Sequence, residues 1–197
     1  MTESNPSISE RKKGLRQKML AMRRALSANE TESRSSSLKE NILSLPEYKN
    51  AKKIMAFLAM KGESNLDGFI RQALLDGKEV YIPVCLPERQ MEAGRLIDME
   101  HFEKGPLGLR NLPAGYEVTS PESLDLVLIP GLAVSQEGIR LGMGAGYYDR
   151  YLARVPFEKR VAGLWDFQVI PDIPSEPFDQ KIAKIVTDKS VIVTKRG

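Results

Sequence analysis

The 197-residue chain reads as one α/β domain. Its expected form is a three-layer α/β/α architecture around a mostly parallel, Rossmann-like sheet, preceded by an N-terminal helical arm. Three observations predict this. The runs "KKIMAFLAM", "EVYIPV", "LDLVLIP" and "KRVAGLW" are short and continuously apolar, as strands covered on both faces must be. Between the first two lies "SNLDGFIRQALLDG", an amphipathic helix stopped by Gly77. Strand, helix and strand thus follow within about 30 residues, the span of a βαβ unit with a right-handed crossover. Finally, the region before Pro46 carries helical rather than alternating periodicity.

Taken in order, residues 1–8 are polar and expected to be flexible. Leu15, Met19, Met22 and Leu26 then recur at i, i+4, i+7 and i+11, one apolar stripe on a helix. At 100° per residue, Lys12, Arg16 and Arg23 fall along one border of that stripe, while Lys13 and Arg24 point away into water. A cation on that border either lines a cleft or snorkels along the surface. Ser27 and Glu30 form a capping box that starts a second helix, which Pro46 closes near Leu45. After "EVYIPV" the pattern weakens: "MEAGRLIDMEHFE" supplies one or two strands, and "KGPLGLRNLPAGYEV" is a Pro/Gly loop. A long loop over 131–145 follows "LDLVLIP", then a helix from about Gly146 to Arg154. The strands "KRVAGLW", "KIAKIVTD" and "SVIVTK" complete the domain, which is taken as 1–197.

Composition narrows the chemistry. One cysteine, Cys85, and one histidine, His101, exclude a disulfide framework, a cysteine-based zinc cluster and any metal site built on several histidines. A Ser-His-Asp arrangement would rest on His101 alone, and no nucleophile signature lies near it. No apolar run reaches the roughly 18 residues of a membrane span, and the polar start lacks an apolar signal region. The expectation is a reduced, cytoplasmic protein. Net charge is +3, but seven of the Lys and Arg residues fall between Ser9 and Ser27 against one Glu. Such a run is either a solvated face or a surface for phosphate, nucleic acid or membrane.

The most informative stretch is "RLGMGAGYYDRYL", Arg140 to Leu152. A connection this long after a core strand, at the carboxyl edge of the sheet, is where ligands bind in open α/β folds. Gly142, Gly144 and Gly146 permit close backbone approach, and a helix start offers free N–H groups to an anion. Tyr147 stands where a dinucleotide fingerprint needs glycine, and "GYYD" where a P-loop needs Gly-Lys-Ser/Thr. The loop is therefore a phosphate cradle of another type or a flexible turn. Arg140 can pair with phosphate oxygens. Asp149 can hold magnesium, which takes only one or two carboxylates, or it is a first-turn acid favoured by the helix dipole. Tyr147 and Tyr148 either wall a heteroaromatic ring or pack in the core.

These residues carry a family resemblance. "IPGLAVSQEGIRLGMGAGYYDRYL" resembles the signature of the 5-formyltetrahydrofolate cyclo-ligases, also called 5,10-methenyltetrahydrofolate synthetases. Supporting matches are Lys12 to Arg16, "FLAMKGE", and "FQVIPDIPSEPFD" leading into "IVTD". The resemblance implies cyclisation of 5-formyltetrahydrofolate to 5,10-methenyltetrahydrofolate, driven by ATP with Mg2+ and releasing ADP and phosphate. It implies catalytic roles for Lys12 and Arg140. It implies ATP contacts from Lys12, Lys13, Gly14, Leu15 and Arg16, and from Arg140, Leu141, Gly142, Met143, Gly144, Ala145, Gly146, Tyr147 and Tyr148. Folate contacts are implied for Met60, Glu63, Asn65, Tyr147 and Gln168, and magnesium ligation for Asp149 and Asp179. A cytoplasmic monomer with no nucleic-acid or membrane partner is expected. Met143, Ala145, Asn65 and Phe178 depart from the residues many members carry. The alternative is a non-catalytic folate- or nucleotide-binding protein on the same scaffold, which the loss of positive side chains at Met143 and Ala145 favours. Nucleic-acid binding through the basic first helix is weaker, since no basic stripe with aromatics continues elsewhere.

Overall fold

The computed structural model describes residues 6–105 and 110–196. The expected flexible stretch at 1–8 falls mostly outside them, and Ser7 is already the N-cap of the first helix, in a reciprocal capping box with Glu10. Helix α1 spans Ile8–Arg24. Ser27 and Glu30 cap α2, Ala28–Ser44, as their spacing predicts. Pro46 does not merely close that helix: it opens a further short one, α3, Pro46–Asn50, because its missing N–H and fixed φ suit a first helical turn.

Strand β1, Lys53–Met55, is shorter than its apolar run, since the chain leaves the sheet after Ala56 donates to the Tyr81 carbonyl. Helix α4, Asp67–Leu75, returns it to β2, Glu79–Cys85. Strands β1 and β2 pair in parallel, Ile54 beside Val80, so the βαβ unit is present. Strand β3, Met91–Leu96, is one of the strands expected there, and it turns back antiparallel on β2. The Pro/Gly region lies partly outside the described residues; within them are β4, Glu103–Lys104, β5, Arg110–Asn111, and β6, Val118–Thr119. Strand β7, Leu126–Ile129, occupies the sheet centre.

The expected long loop at 131–145 is instead a tight hairpin, β8, Ala133–Ser135, with β9, Arg140–Leu141. Helix α5 is Tyr147–Leu152, shorter than expected. Strands β10, Arg160–Gly163, and β11, Val169–Ile170, precede β12, Lys184–Val186, and β13, Val191–Val193. The main sheet runs β13-β12-β10-β7-β1-β2-β3-β6. Its inner strands β12, β10, β7, β1 and β2 are parallel and its flanks antiparallel.

Alternation along the strands builds two cores. Ile54, Val80, Ile82, Leu126, Leu128 and Val161 face α2, α3 and α4, meeting Leu38, Ile42, Tyr48, Phe69 and Ile70. Met55, Tyr81, Val127, Ile129 and Ala162 face the opposite way, toward Tyr151 and Leu152 of α5. This is the predicted three-layer arrangement. Full burial of each large apolar side chain contributes roughly 1.5–3 kcal/mol. Helix α1 packs elsewhere. Its Met19 meets Leu132, Ala133, Leu141 and Ile173 over a separate small sheet of order β11-β8-β9. Among the described residues no helix is long and apolar enough to cross a membrane.

Candidate active site

The site forms where α1 lies against the hairpin β8–β9 and the segment after β11. The buried face of α1 is rotated from the apolar stripe. Met22 is 37% exposed, whereas Lys12 and Arg23 are each 6% exposed, close to Met19 at 1%. The cations expected at the border are thus in the seam itself. Burying a charge is costly unless it is paired and hydrogen-bonded, and both are.

At one end of the seam, Lys12 Nζ donates to Asp179 Oδ2 at 2.6 Å and to Glu176 Oε2 at 2.8 Å. Burial alone would lower its pKa, but the two carboxylates prevail and raise it above the ordinary lysine value. The Glu176 amide donates to Asp179 Oδ2 at 2.8 Å, fixing that carboxylate from its own turn. The Phe178 ring lies 5.8 Å from Lys12 Nζ and is otherwise exposed. One turn along, Arg16 Nε donates to the Gly142 carbonyl at 2.9 Å. Lys13 and Gly14 are exposed, and the half-buried Leu15 packs against the Met19 cluster.

The glycine loop is shaped by the arginines around it. Arg140, on β9, donates through Nη2 to Asp149 Oδ1 at 2.9 Å and through Nη1 to the Pro130 carbonyl at 3.3 Å. Its guanidinium carbon stands 5.5 Å from the Tyr148 ring centroid. A Cβ on Gly142 would come within 2.7 Å of Arg140 Nη1, and Gly144 holds φ +101° with Arg16 packed against it. Glycine at these two positions lets two guanidinium groups flank one loop. Leu141 is buried beneath it, while Met143 and Ala145 face solvent. Tyr147 is half-buried. The Tyr148 hydroxyl is buried without a partner. Burial above all, with the nearby Glu63 charge, holds its pKa well above the usual tyrosine value, so it remains a neutral donor.

At the far end of the seam, Arg23 bridges three elements. It donates through Nη2 to the Gly131 carbonyl and pairs at 3.5 Å with Glu63, itself buried. Burial pulls the guanidinium below the usual arginine range, opposed by Glu63. Glu63 Oε2 also accepts the Met60 amide at 3.1 Å, closing the turn that exposes the Met60 side chain. The Asn65 amide donates to Ser35 Oγ at 3.1 Å. Gln168 is 0% exposed. Its Nε2 donates to the Gly131 and Leu132 carbonyls, and its Oε1 accepts the Trp165 amide. It therefore anchors the 130–132 turn from behind.

Thus Lys12 joins Asp179, Arg16 joins Gly142, and Arg140 joins Asp149. Among the described residues no hydrogen bond links Asp149 to Asp179, and no cluster of three metal-binding side chains is preformed. Each aspartate commits only one carboxylate oxygen to a side-chain cation, leaving the other for a hard cation. That suits magnesium, which takes one or two carboxylates and keeps waters and phosphate oxygens. Sequence reasoning did not include Arg23 or Glu176 in the site. Arg23 lay on the predicted border of the stripe, but its carbonyl partner is 108 positions away, and no local signal ranked it with Lys12. The arrangement can gather and neutralise phosphate-like charge beside a glycine loop, with Asp179 and Asp149 each paired to one of its cations.

The chain is similar to known proteins along most of its length. The family model described as 5-formyltetrahydrofolate cyclo-ligase matches residues 8–188. The chain is 31% identical to the mouse (Mus musculus) 5-formyltetrahydrofolate cyclo-ligase, covering 93% of this chain and 97% of that protein. It is 28% identical to the enzyme of Escherichia coli K12, covering 86% and 96% respectively. The solved structure of Aquifex aeolicus 5,10-methenyltetrahydrofolate synthetase superposes with a TM-score of 0.83 at 34% identity, covering 94% of each chain. With the matching model spanning nearly the whole chain, this protein belongs to the 5-formyltetrahydrofolate cyclo-ligase family.

Proposed function

We propose that this protein catalyses the ATP- and Mg2+-dependent cyclisation of 5-formyltetrahydrofolate to 5,10-methenyltetrahydrofolate, as a cytoplasmic, single-domain monomer. The observation that carries this reading is the convergence of Arg16 and Arg140 on one glycine loop, with Lys12 one helical turn from Arg16. Phosphoryl transfer needs positioning and charge neutralisation more than a nucleophilic side chain, and these residues supply both. The formyl oxygen attacks the γ-phosphorus as the bond to ADP breaks. N10 then adds to the activated formyl carbon and closes the ring, the N10 proton is lost, and the carbon–oxygen bond breaks to release phosphate.

In this reading Lys12, Arg16 and Arg140 hold the phosphate oxygens, and the loop from Leu141 to Tyr148 encloses them. Asp149 and Asp179 would hold magnesium, which would draw charge from the transferred phosphoryl group. Met60, Glu63, Asn65 and Tyr147 face the folate. Gln168 acts through the 130–132 turn, since its amide is fully engaged.

The test mixes purified protein with 5-formyltetrahydrofolate, Mg2+ and ATP, and follows growth of methenyl absorbance against an ATP-free control. An ATP-dependent rise is expected. Saturable ATP binding with a flat trace would instead favour the non-catalytic reading. Asp149→Ala is expected to lose turnover with a raised magnesium requirement; wild-type turnover at ordinary magnesium would contradict its assignment.

A further inference from the structure

Glu176 has no part in the functional reading above, yet it is built into the Lys12 end of the seam. The Lys12 side chain is 7% exposed, and its Nζ lies 2.6 Å from Asp179 Oδ2 and 2.8 Å from Glu176 Oε2. An ammonium has three N–H donors, so these contacts leave one for a ligand. The Glu176 amide also donates to Asp179 Oδ2, but that bond comes from the backbone and does not need the carboxylate. What the carboxylate adds is charge. Asp179 alone neutralises Lys12; with Glu176 the three groups carry one net negative charge. The same surplus settles the balance around the glycine loop. Lys12, Arg16 and Arg140 bring three positive charges, and Asp179, Glu176 and Asp149 bring three negative ones. Arg11, next to Lys12 in the chain, is paired with Asp172 at 3.2 Å and leaves that sum unchanged.

We propose that Glu176 makes the site select cation-bound over metal-free nucleotide, by cancelling the positive charge that would otherwise hold a bare triphosphate. This rests on the functional reading above. In it Asp149 and Asp179 are the carboxylates that would meet a divalent cation, so their charge is answered when one accompanies the phosphates. Glu176 is the carboxylate left over. A phosphate oxygen taken by the third N–H of Lys12 shares that nitrogen with Glu176 Oε2, which puts the two anionic oxygens within about 6 Å of each other. A triphosphate arriving alone therefore meets charges that sum to zero, with a surplus anion beside it, and gains little Coulombic attraction. Without the Glu176 charge the same set would be positive by one and would attract the bare polyanion. The Glu176 side chain is 35% exposed, so water and salt screen its repulsion. The discrimination it adds is about five- to tenfold.

Calorimetric titration of the full chain with ATP at low salt tests this, once in excess chelator and once in excess Mg2+. The quantity read is the ratio of the metal-free Kd to the Kd with Mg2+. Glu176→Gln keeps the shape and a hydrogen-bond acceptor for Lys12 and removes only the charge. It should tighten metal-free ATP about five- to tenfold and hold the Kd with Mg2+ within about twofold, so that the ratio falls. The gain should fade as ionic strength rises. Glu176→Asp keeps the charge and should keep the wild-type ratio. Asp172→Asn makes the same change in net charge on a side chain that touches Arg11 rather than Lys12, and should leave the ratio unaltered. A purely structural contact behaves differently, since its loss weakens both forms together. An unchanged ratio in Glu176→Gln, equal weakening of both forms, or a matching fall in Asp172→Asn would overturn the assignment. A wild-type chain that binds ATP in neither condition fails the functional reading itself, whereas normal binding with Mg2+ and an unchanged Glu176→Gln ratio sinks only this inference.

Discussion

Two regions of this molecule bury side chains equally well and for opposite reasons. Beneath α2 and α4, Ile42, Leu66, Phe69 and Ile70 are fully covered by other apolar atoms, and Phe69 meets Tyr48 edge-on at 5.4 Å. Beneath α1, Lys12 and Arg23 are nearly as inaccessible as Met19, yet each is held by carboxylates or carbonyls from distant segments. The first region gains stability from area. The second gains little, because the cost of desolvating ions consumes most of their attraction. A seam that is expensive to assemble and concentrates positive charge beside a glycine loop is what the proposed phosphate site requires and what folding alone does not.

The comparison is sharpest under paired substitutions. Phe69→Ala should cost about 3–5 kcal/mol by leaving a cavity, and Arg23→Met should cost a similar 3–5 kcal/mol by leaving Glu63 buried without its cation. Chemical denaturation measures both. The two losses differ in how they are repaired. Adding Glu63→Gln to Arg23→Met should recover most of the stability, while no polar change near Phe69 restores its cavity. If the double variant is as unstable as Arg23→Met alone, the seam is held by packing like the core, and the contrast collapses.

A smaller effect concerns the opposite end of the seam. Asp179 and Glu176 raise the Lys12 pKa above its ordinary value. A cation with a raised folded-state pKa contributes stability that is fully present below its unfolded value, about 10.4, and lost as pH climbs through the folded value. The melting-temperature difference between wild type and Lys12→Gln should therefore be constant near pH 8 and shrink only above about pH 10.4. A difference that vanishes already near neutrality would mean that Lys12 contributes through packing of its stem instead.

The same contrast explains what was readable from sequence. The parallel core strands are legible because each is a continuous apolar run, and composition alone says that both faces are covered. The hairpin of β8 and β9 was not legible. Its strands are three and two residues long, one contains Arg140, and their pairing is completed by Val169 beside Val134 from a later segment. In the site, Lys12, Arg16, Arg140 and the glycines stand out by local spacing. What spacing cannot give is partnership: Lys12 finds Asp179 across 167 positions. Nor does an apolar stripe foresee that Met22 is displaced outward by buried cations, since amphipathic periodicity assumes that charge seeks water.

The smallest expected effect belongs to the single histidine that composition made conspicuous. His101 is exposed and its Nδ1 lies 2.8 Å from Asp98 Oδ2, far from the seam's network of partners. Asp98 raises the His101 pKa, first by hydrogen bonding and then by charge. Asp98 itself is lowered to about 2, chiefly by the Glu100 amide. The sign follows from the raised folded value: any stabilisation is complete below the unfolded histidine value of about 6.5 and disappears as pH rises through the folded one. On an exposed pair it is small. Nuclear magnetic resonance titration of the imidazole should give a midpoint above about 6.5 in wild type, moving down in Asp98→Asn. His101→Gln should leave both turnover and melting temperature near wild type at pH 8. Loss of turnover in that variant would place catalysis on an exposed surface loop and break the association between buried charge and chemistry on which the α1 seam's role depends.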